Sequence, residues 1–281
     1  PVFHTKNHGP GNTRNEGLDM ATGDYVTFMD HDDWQDLQKY EKMMAKAAEH
    51  NADFVVCNAQ EYHQQDDKYI SKPWRKHMKD VHPDACLDMT NPGNKARIIN
   101  GFTPPWAKIV KNDVIRKNNI RFATNGCRFD DVLFHCHLCL VATRAAFVDE
   151  VLYTHRLMPA SISGQFLERG DVIAKDGLQT WYSLEALCEQ NNIDPRELFR
   201  HFLKRLAKGA YRADNSEKHI VEIIAIIKRL KLKKPDFPKK YQIYYRNVMH
   251  YSPARRFVVQ GIRKIKLKLK VMSSGTQREK F

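Results

Sequence analysis

Along the first 165 residues the apolar positions switch between an every-second-residue pattern and a helical one. Val2 to Lys6 reads as the end of a strand, 11–21 as a helix, and 24–29 as a strand that runs into an acidic turn, Asp30-His31-Asp32-Asp33. Residues 36–49, rich in Ala, Lys, Met and Glu, predict a helix, and 52–59 a strand. The stretch 64–94, with its Pro, Asp and His, reads as irregular chain or a lid. A strand near 107–110, a helix after Asn112, a helix over 130–141 and a strand over 147–155 complete the series. Strands alternating with helices mark a layered α/β domain. After Gly170 the strand signals stop, and helical patterns follow over 171–190, 195–212, 216–230 and 238–249. The expected organisation is an α/β domain over 1–168 and a helical region over 169–281. Because the chain opens on Pro1 inside a strand-like run, the first domain is expected to lack its beginning.

The acidic turn is the first place where chemistry shows. Asp30, Asp32 and Asp33 follow an apolar run (Tyr25, Val26, Phe28, Met29), which gathers their carboxylates at the carboxyl end of a strand, where open α/β sheets bind ligands. Crowded like charges cost energy unless a cation joins them. Hard oxygen donors suit Mg2+ or Mn2+, which in turn can clamp a diphosphate. The plainer alternative is a solvated turn with Asp33 as the N-cap of the next helix. Upstream, Asn7-His8-Gly9-Pro10-Gly11 is a glycine-rich loop entering a helix, where backbone N–H groups can approach an anion. Arg14 on that helix can add charge to a nucleotide diphosphate or brace the acidic turn.

The whole block from Asn7 to Leu18, then Ala21, Gly23, Asp24, Tyr25, Val26, Phe28, Asp30, Asp32 and Asp33, resembles the N-x-G-x-x-x-A-R-N-x-G-L-x-x-A-x-G-x-Y-x-x-F-x-D-x-D-D pattern of family 2 glycosyltransferases. Thr13 stands where Ala is usual. A second block, Trp106-Ala107-Lys108, Asn118 to Phe122 and Phe129-Asp130-Asp131-Val132-Leu133-Phe134, is similar to the family's W-x-K, n-n-i-x-F and E-D-x-x-F segments. A third, Tyr153-Thr154-His155-Arg156 with Ser161-Ile162-Ser163, looks like its closing Y-x-x-R and S-i-S segment. Together these cover about residues 3–165.

The resemblance implies a GT-A fold and inverting transfer from a nucleotide-diphosphate sugar, most commonly a UDP-sugar, to a saccharide or lipid-linked acceptor. It implies Mn2+ or Mg2+ at Asp32, with Asp30 near metal and ribose. Asn7, Gly9 and Arg14 fall to the donor, and Asp131 is the general base with Asp130 beside it in place of the usual Glu. His155 or Arg156 would offset charge on the leaving diphosphate, and Trp106 with Lys108 falls to the acceptor, Trp106 reading equally as a loop anchor.

His135-Cys136-His137-Leu138-Cys139 has zinc-like spacing. No second pair lies at a suitable distance, and on a helix Cys136 and Cys139 read as small core residues. The six cysteines are too sparse for a disulfide scaffold and fit a reducing cytoplasm. The net charge of +13 is uneven: residues 228–270 carry fifteen Lys or Arg against one acid, Asp236, on an otherwise nearly neutral body. Val258, Ile262, Ile265, Leu269 and Met272 share one helical face with basic residues flanking it, so 253–272 reads as a basic amphipathic helix suited to an anionic membrane surface. Its rivals are docking on the protein itself, a partner subunit and, least favoured, nucleic acid. No run of about twenty apolar residues spans a bilayer. An envelope or capsular glycan transferase on the cytoplasmic membrane face is the expected role. The alternative is a non-catalytic transferase-like module bound to a membrane or protein through that tail.

Overall fold

The structure is a computed structural model and describes residues 8–72, 82, 85–99, 101, 103–124, 129–158 and 170–252. The expected strand over Val2 to Lys6, Asn7, Ser161 to Ser163 and the basic segment 253–272 lie outside these. By packing, the chain forms two compact units, one of residues 1–166 with 179–198 and one of 167–178 with 199–281.

The first unit begins with α1 (Pro10–Met20), β1 (Tyr25–Thr27), β2 (Trp34–Gln35) and α2 (Lys39–His50). It continues through β3 (Phe54–His63), β4 (Lys68–Lys72), β5 (Leu87–Asp88) and α3 (Pro92–Ile99). A 3-10 turn (Pro105–Ala107), β6 (Lys108–Lys111), α4 (Asn112–Lys117), α5 (Asp130–Val141) and β7 (Arg144–Leu157) follow. Among the described residues the strands form one sheet in the order β1-β6-β3-β7-β2, with β4 on β3 and β5 on β7.

The central strand explains the layering. Phe54, Val55, Val56 and Cys57 are all buried, as a strand covered on both faces requires. Alternate residues serve opposite sides. Phe54 and Val56 join Val110, Phe147, Phe134 and Leu138, the last two from α5. Val55 and Cys57 join Ile109, Ala146 and Val148 with Met43 and Ala47 of α2. The sheet is therefore sandwiched between α5 and α2. α2 stops where Asn51 takes a left-handed conformation (φ 46°), and Ala52 N–H closes back on Ala47 O at 3.0 Å.

The sheet is mixed: among the described pairs β3 and β7 run parallel and the others antiparallel. One feature differs from the sequence reading. The 64–94 stretch, expected to be irregular, contains β4 and β5. β4 completes a hairpin with the far end of β3, Tyr62 opposite Tyr69, across a turn in which Asp67 adopts φ 47°.

One close approach positions the site. Gly9 caps α1 at φ 82°, and Pro10 takes the first helical position, where its missing N–H costs nothing. At Gly11 an added Cβ would lie 2.0 Å from Ala123 O and 3.4 Å from the Asp130 Cβ. Backbone cannot yield as a side-chain tip can, so α1 touches the 120–124 segment only because residue 11 has no side chain. Asn15 clamps the same contact: its Nδ2 donates to Phe122 O at 3.0 Å and its Oδ1 accepts from Phe122 N–H at 2.9 Å. Gly11→Ala is expected to lower stability by about 1–3 kcal/mol through this overpacking, which chemical denaturation measures; an unchanged midpoint would show that α1 shifts freely.

The second unit takes the start of α6 (Gly170–Gln190), the part of α7 (Pro195–Ala210) from Phe199 onward, α8 (Ser216–Arg229) and α9 (Gln242–Met249). Asp171 in the first turn of α6 accepts from the backbone N–H groups of Asp214 and Asn215 at 2.8 and 3.1 Å, and His219 lies 3.5 Å from it. α8 buries Ile220, Ile223 and Ile227, one face of its helical period. No helix among the described residues is long and apolar enough to cross a membrane.

Candidate active site

Arg14 joins three parts of the chain that the sequence holds far apart. From the middle of α1 its Nη2 donates to Asp30 Oδ1 at 2.9 Å and its Nη1 to Asp130 Oδ2 at 2.7 Å. The guanidinium thus spans the acidic turn after β1 and the first residue of α5, while its Cζ lies 5.5 Å from the centre of the Phe122 ring. Of the two roles open from sequence, the described contacts are those of a brace. Burial disfavours the Arg14 charge, and the neighbouring Asp130 and Asp30 outweigh it, holding the guanidinium above its ordinary pKa. Asp130 is buried, and desolvation raises its carboxyl even though Arg14 pulls the other way.

Asp131 follows on the same helical turn and stays partly exposed. Its Oδ2 accepts from Thr103 Oγ1 at 3.1 Å. Both acids sit in the first turn of α5, where the helix dipole favours negative charge. Neither is the helix N-cap, which is Phe129.

The acidic turn splits by function. Asp33 does not cap a helix, because β2 follows it directly. Its buried carboxylate accepts from Tyr153 Oη at 2.7 Å and from Arg156 N–H at 2.8 Å. Desolvation raises the Asp33 carboxyl, opposed by those two donors. The Tyr153 hydroxyl in turn accepts from Asp30 N–H at 3.2 Å, which fixes the turn from both ends. Asp32 makes no hydrogen bond or ion pair with the described residues and remains partly exposed beside Asp30.

Among the described residues no three His, Cys, Asp or Glu side chains form a metal-holding group. Two hard carboxylates facing partly outward, Asp30 and Asp32, nonetheless fit Mg2+ or Mn2+, since such ions commonly take one or two carboxylates and complete their shell with substrate phosphates and water. His135 and Cys139 are buried, and His135 Nε2 lies 3.0 Å from Ile98 O. The described cysteines, Cys57, Cys86, Cys136, Cys139 and Cys188, are free thiols.

A stacked column supports the other side. Trp106 lies against Tyr153, centroids 4.3 Å apart at 12°, and against His155 at 5.6 Å. Trp106 is only 7% exposed, and Lys39 Nζ holds its carbonyl at 2.7 Å. Lys108 is 1% exposed; its Nζ donates to Pro104 O at 2.7 Å, and burial pushes the ammonium down to about 8. These two residues therefore fix the Thr103–Lys108 segment from within. Arg156 alternates to the sheet face opposite His155, and its guanidinium lies 5.6 Å from the Trp34 ring centre. Sequence reasoning missed Thr103 altogether and gave Tyr153 no part; only the quoted closing segment pointed to the latter.

A layered mixed sheet, an acidic turn at the end of β1 and a braced acidic pair opening α5 define a GT-A type α/β domain. The chain belongs to glycosyl transferase family 2, whose model matches residues 1–146. It is similar to EpsH of Bacillus subtilis, 26% identical over 197 residues (68% of this chain and 53% of EpsH). It is also similar to the uncharacterized glycosyltransferase YibD of Escherichia coli, 29% identical over 163 residues (58% of this chain and 46% of YibD). The crystal structure of S. aureus TarS shares the fold, with a TM-score of 0.56 at 19% identity over 89% of this chain and 42% of that one. The structure of TarS residues 1–349 in complex with UDP-GlcNAc gives a TM-score of 0.50 at 17% identity over 87% of this chain and 73% of that one. The chain spans about half the length of the curated relatives it matches.

Proposed function

We propose that the complete protein is a metal-dependent inverting glycosyltransferase that moves a sugar from a nucleotide diphosphate, a UDP-sugar, to a saccharide or lipid-linked glycan acceptor. The observation that carries this reading is the Arg14 fork, which ties Asp30 of the acidic turn to Asp130 and so gathers Asp32 and Asp131 about one site. The UDP-GlcNAc named for the TarS complex supports a UDP-sugar as donor.

Asp131 takes the proton of the acceptor hydroxyl as that oxygen attacks C1 of the donor sugar. The C1–O bond to the diphosphate breaks on the opposite face, so one displacement inverts the anomeric centre. Asp32 and Asp30 would hold Mn2+ or Mg2+, which would neutralise charge on the diphosphate. Gly9 is assigned to the donor together with Asn7, which lies outside the described residues, and His155 to the leaving diphosphate. Arg14 and Asp130 act as positioning residues, and Trp106 with Lys108 shapes the acceptor side from beneath. Cell-envelope or capsular glycan synthesis is the setting that the basic segment 253–272 favours, through an anionic membrane surface.

Calorimetric titration of UDP with Mn2+ tests this. Asp32→Ala is expected to weaken metal-dependent binding by roughly tenfold or more, the loss of one charged ligand contact. Equal UDP affinity with and without Mn2+ would remove the metal from the reading. No binding of UDP or of any other nucleotide by the complete protein would leave a non-catalytic module, anchored by its basic segment, as the better account.

A further inference from the structure

We infer that the outer end of the sheet carries a second saccharide subsite, an aromatic platform for a sugar unit of the acceptor glycan beyond the one that carries the attacking hydroxyl. The inference rests on the transferase reading above.

Trp34 of β2, Tyr62 of β3 and Tyr69 of β4 come from three separate strands onto one face. Trp34 and Tyr62 meet edge to face with centroids 5.5 Å apart, and Tyr62 and Tyr69 lie 5.0 Å apart at 38°. Tyr62 is fixed by its hydroxyl, which donates to Asp67 Oδ1 at 3.0 Å. Cross-strand pairing accounts for Tyr62 against Tyr69. It also brings in Arg156, the β7 partner of Tyr62, but it leaves the Tyr69 side chain 57% exposed. The guanidinium of Arg156 lies 5.6 Å from the Trp34 ring centre, and its Nε is buried without a hydrogen-bond partner among the described residues. A buried donor left unsatisfied carries a free-energy cost that a ligand oxygen would relieve.

The chemistry of this patch matches a pyranose. Such a ring has one face of C–H groups, which packs on an aromatic face, and a rim of hydroxyl oxygens, which accept from a guanidinium. The patch adjoins the acidic turn along the chain. Trp34 directly follows Asp33, whose carboxylate holds Arg156 N–H, so platform and acidic turn share their backbone anchoring. It is also separate from the Trp106 column, because Trp34 and Arg156 occupy the sheet face opposite Tyr153 and His155. A glycan chain lying across the edge would thus be gripped at two units.

A printed glycan array, read beside calorimetry with UDP and Mn2+, tests the platform on the complete protein. The wild type is expected to bind at least one glycan class. Tyr69→Ala and Trp34→Ala should each lower that binding by roughly five- to tenfold, the loss of one aromatic stacking contact. Tyr69→Phe, which keeps the ring, should retain it. UDP affinity should not move in either variant, and Tyr69→Ala, at the exposed ring, should also keep the melting midpoint, which separates ligand contact from a merely structural role. UDP binding with no glycan bound, or glycan binding that the alanine variants leave intact, overturns the platform while the transferase reading stands. Failure to bind UDP at all removes both.

Discussion

Asp131→Asn is expected to cut kcat for sugar transfer by roughly a hundred- to ten-thousandfold, the usual contribution of a positioned general base. The neighbourhood of Asp131 makes the variant a clean one. Its contact with Thr103 is a hydroxyl donating to a carboxylate oxygen at 3.1 Å, and the amide oxygen of Asn can accept the same bond. The side chain is partly exposed, so exchange of oxygen for NH2 strands no buried group. UDP binding, which the acidic turn and not α5 is proposed to carry, should therefore be unchanged. Steady-state kinetics with a saturating donor separates the two quantities. A fall in UDP affinity with kcat preserved would assign Asp131 to the donor and leave proton removal to another group.

Asp130→Asn, by contrast, removes the buried charge that one arm of the Arg14 fork pairs with, so its effect on rate would mix positioning with folding. This difference between adjacent residues could not be read from sequence. Both are acids in one motif, and only the fold shows that Asp130 faces Arg14 across 116 residues while Asp131 faces outward. The segments that were legible are those whose cause is local. α1 follows from the Gly-Pro entry and its periodicity, β3 from an unbroken apolar run, and α5 from the first-turn acids with an apolar body behind them. What was not legible depends on residues far away in the chain. Thr103 enters because the 105–107 turn brings it under α5, and Tyr153 because β7 passes behind the acidic turn 120 residues after Asp33. β4 escaped because Lys68 to Lys72 is charged at both ends and extends only where β3 offers its edge. The mixed pairing escaped for the same reason: strand partners are chosen by packing across the chain, which alternation of element types does not encode.

Arg14→Ala is expected to destabilise the protein by roughly 3–5 kcal/mol at neutral pH, the scale on which a buried charge is left without its partner. Two carboxylates lose their cation together, and the Asp130 side chain, 8% exposed, cannot recover it from water. Arg14→Lys should rescue only in part, since one ammonium lacks the planar fork that reaches Asp30 and Asp130 at once. The pH dependence distinguishes this cause from simple loss of packing. In the native protein the Asp130 carboxyl already titrates above its unfolded value, because desolvation outweighs Arg14. A raised carboxyl takes up protons on folding, so its contribution is full at acid pH and declines as pH rises from the unfolded to the folded value. Without Arg14 the folded value climbs further and that interval widens. The deficit of Arg14→Ala should therefore be greatest at neutral pH and shrink as acid protonates Asp130. Urea unfolding of both proteins across that range measures it, and Arg14→Ala combined with Asp130→Asn should regain much of the loss at neutral pH by removing the stranded charge. A deficit that stays constant with pH, or a double variant no better than the single one, would mean that Arg14 matters for the space it fills against Phe122 and not for the two carboxylates it joins.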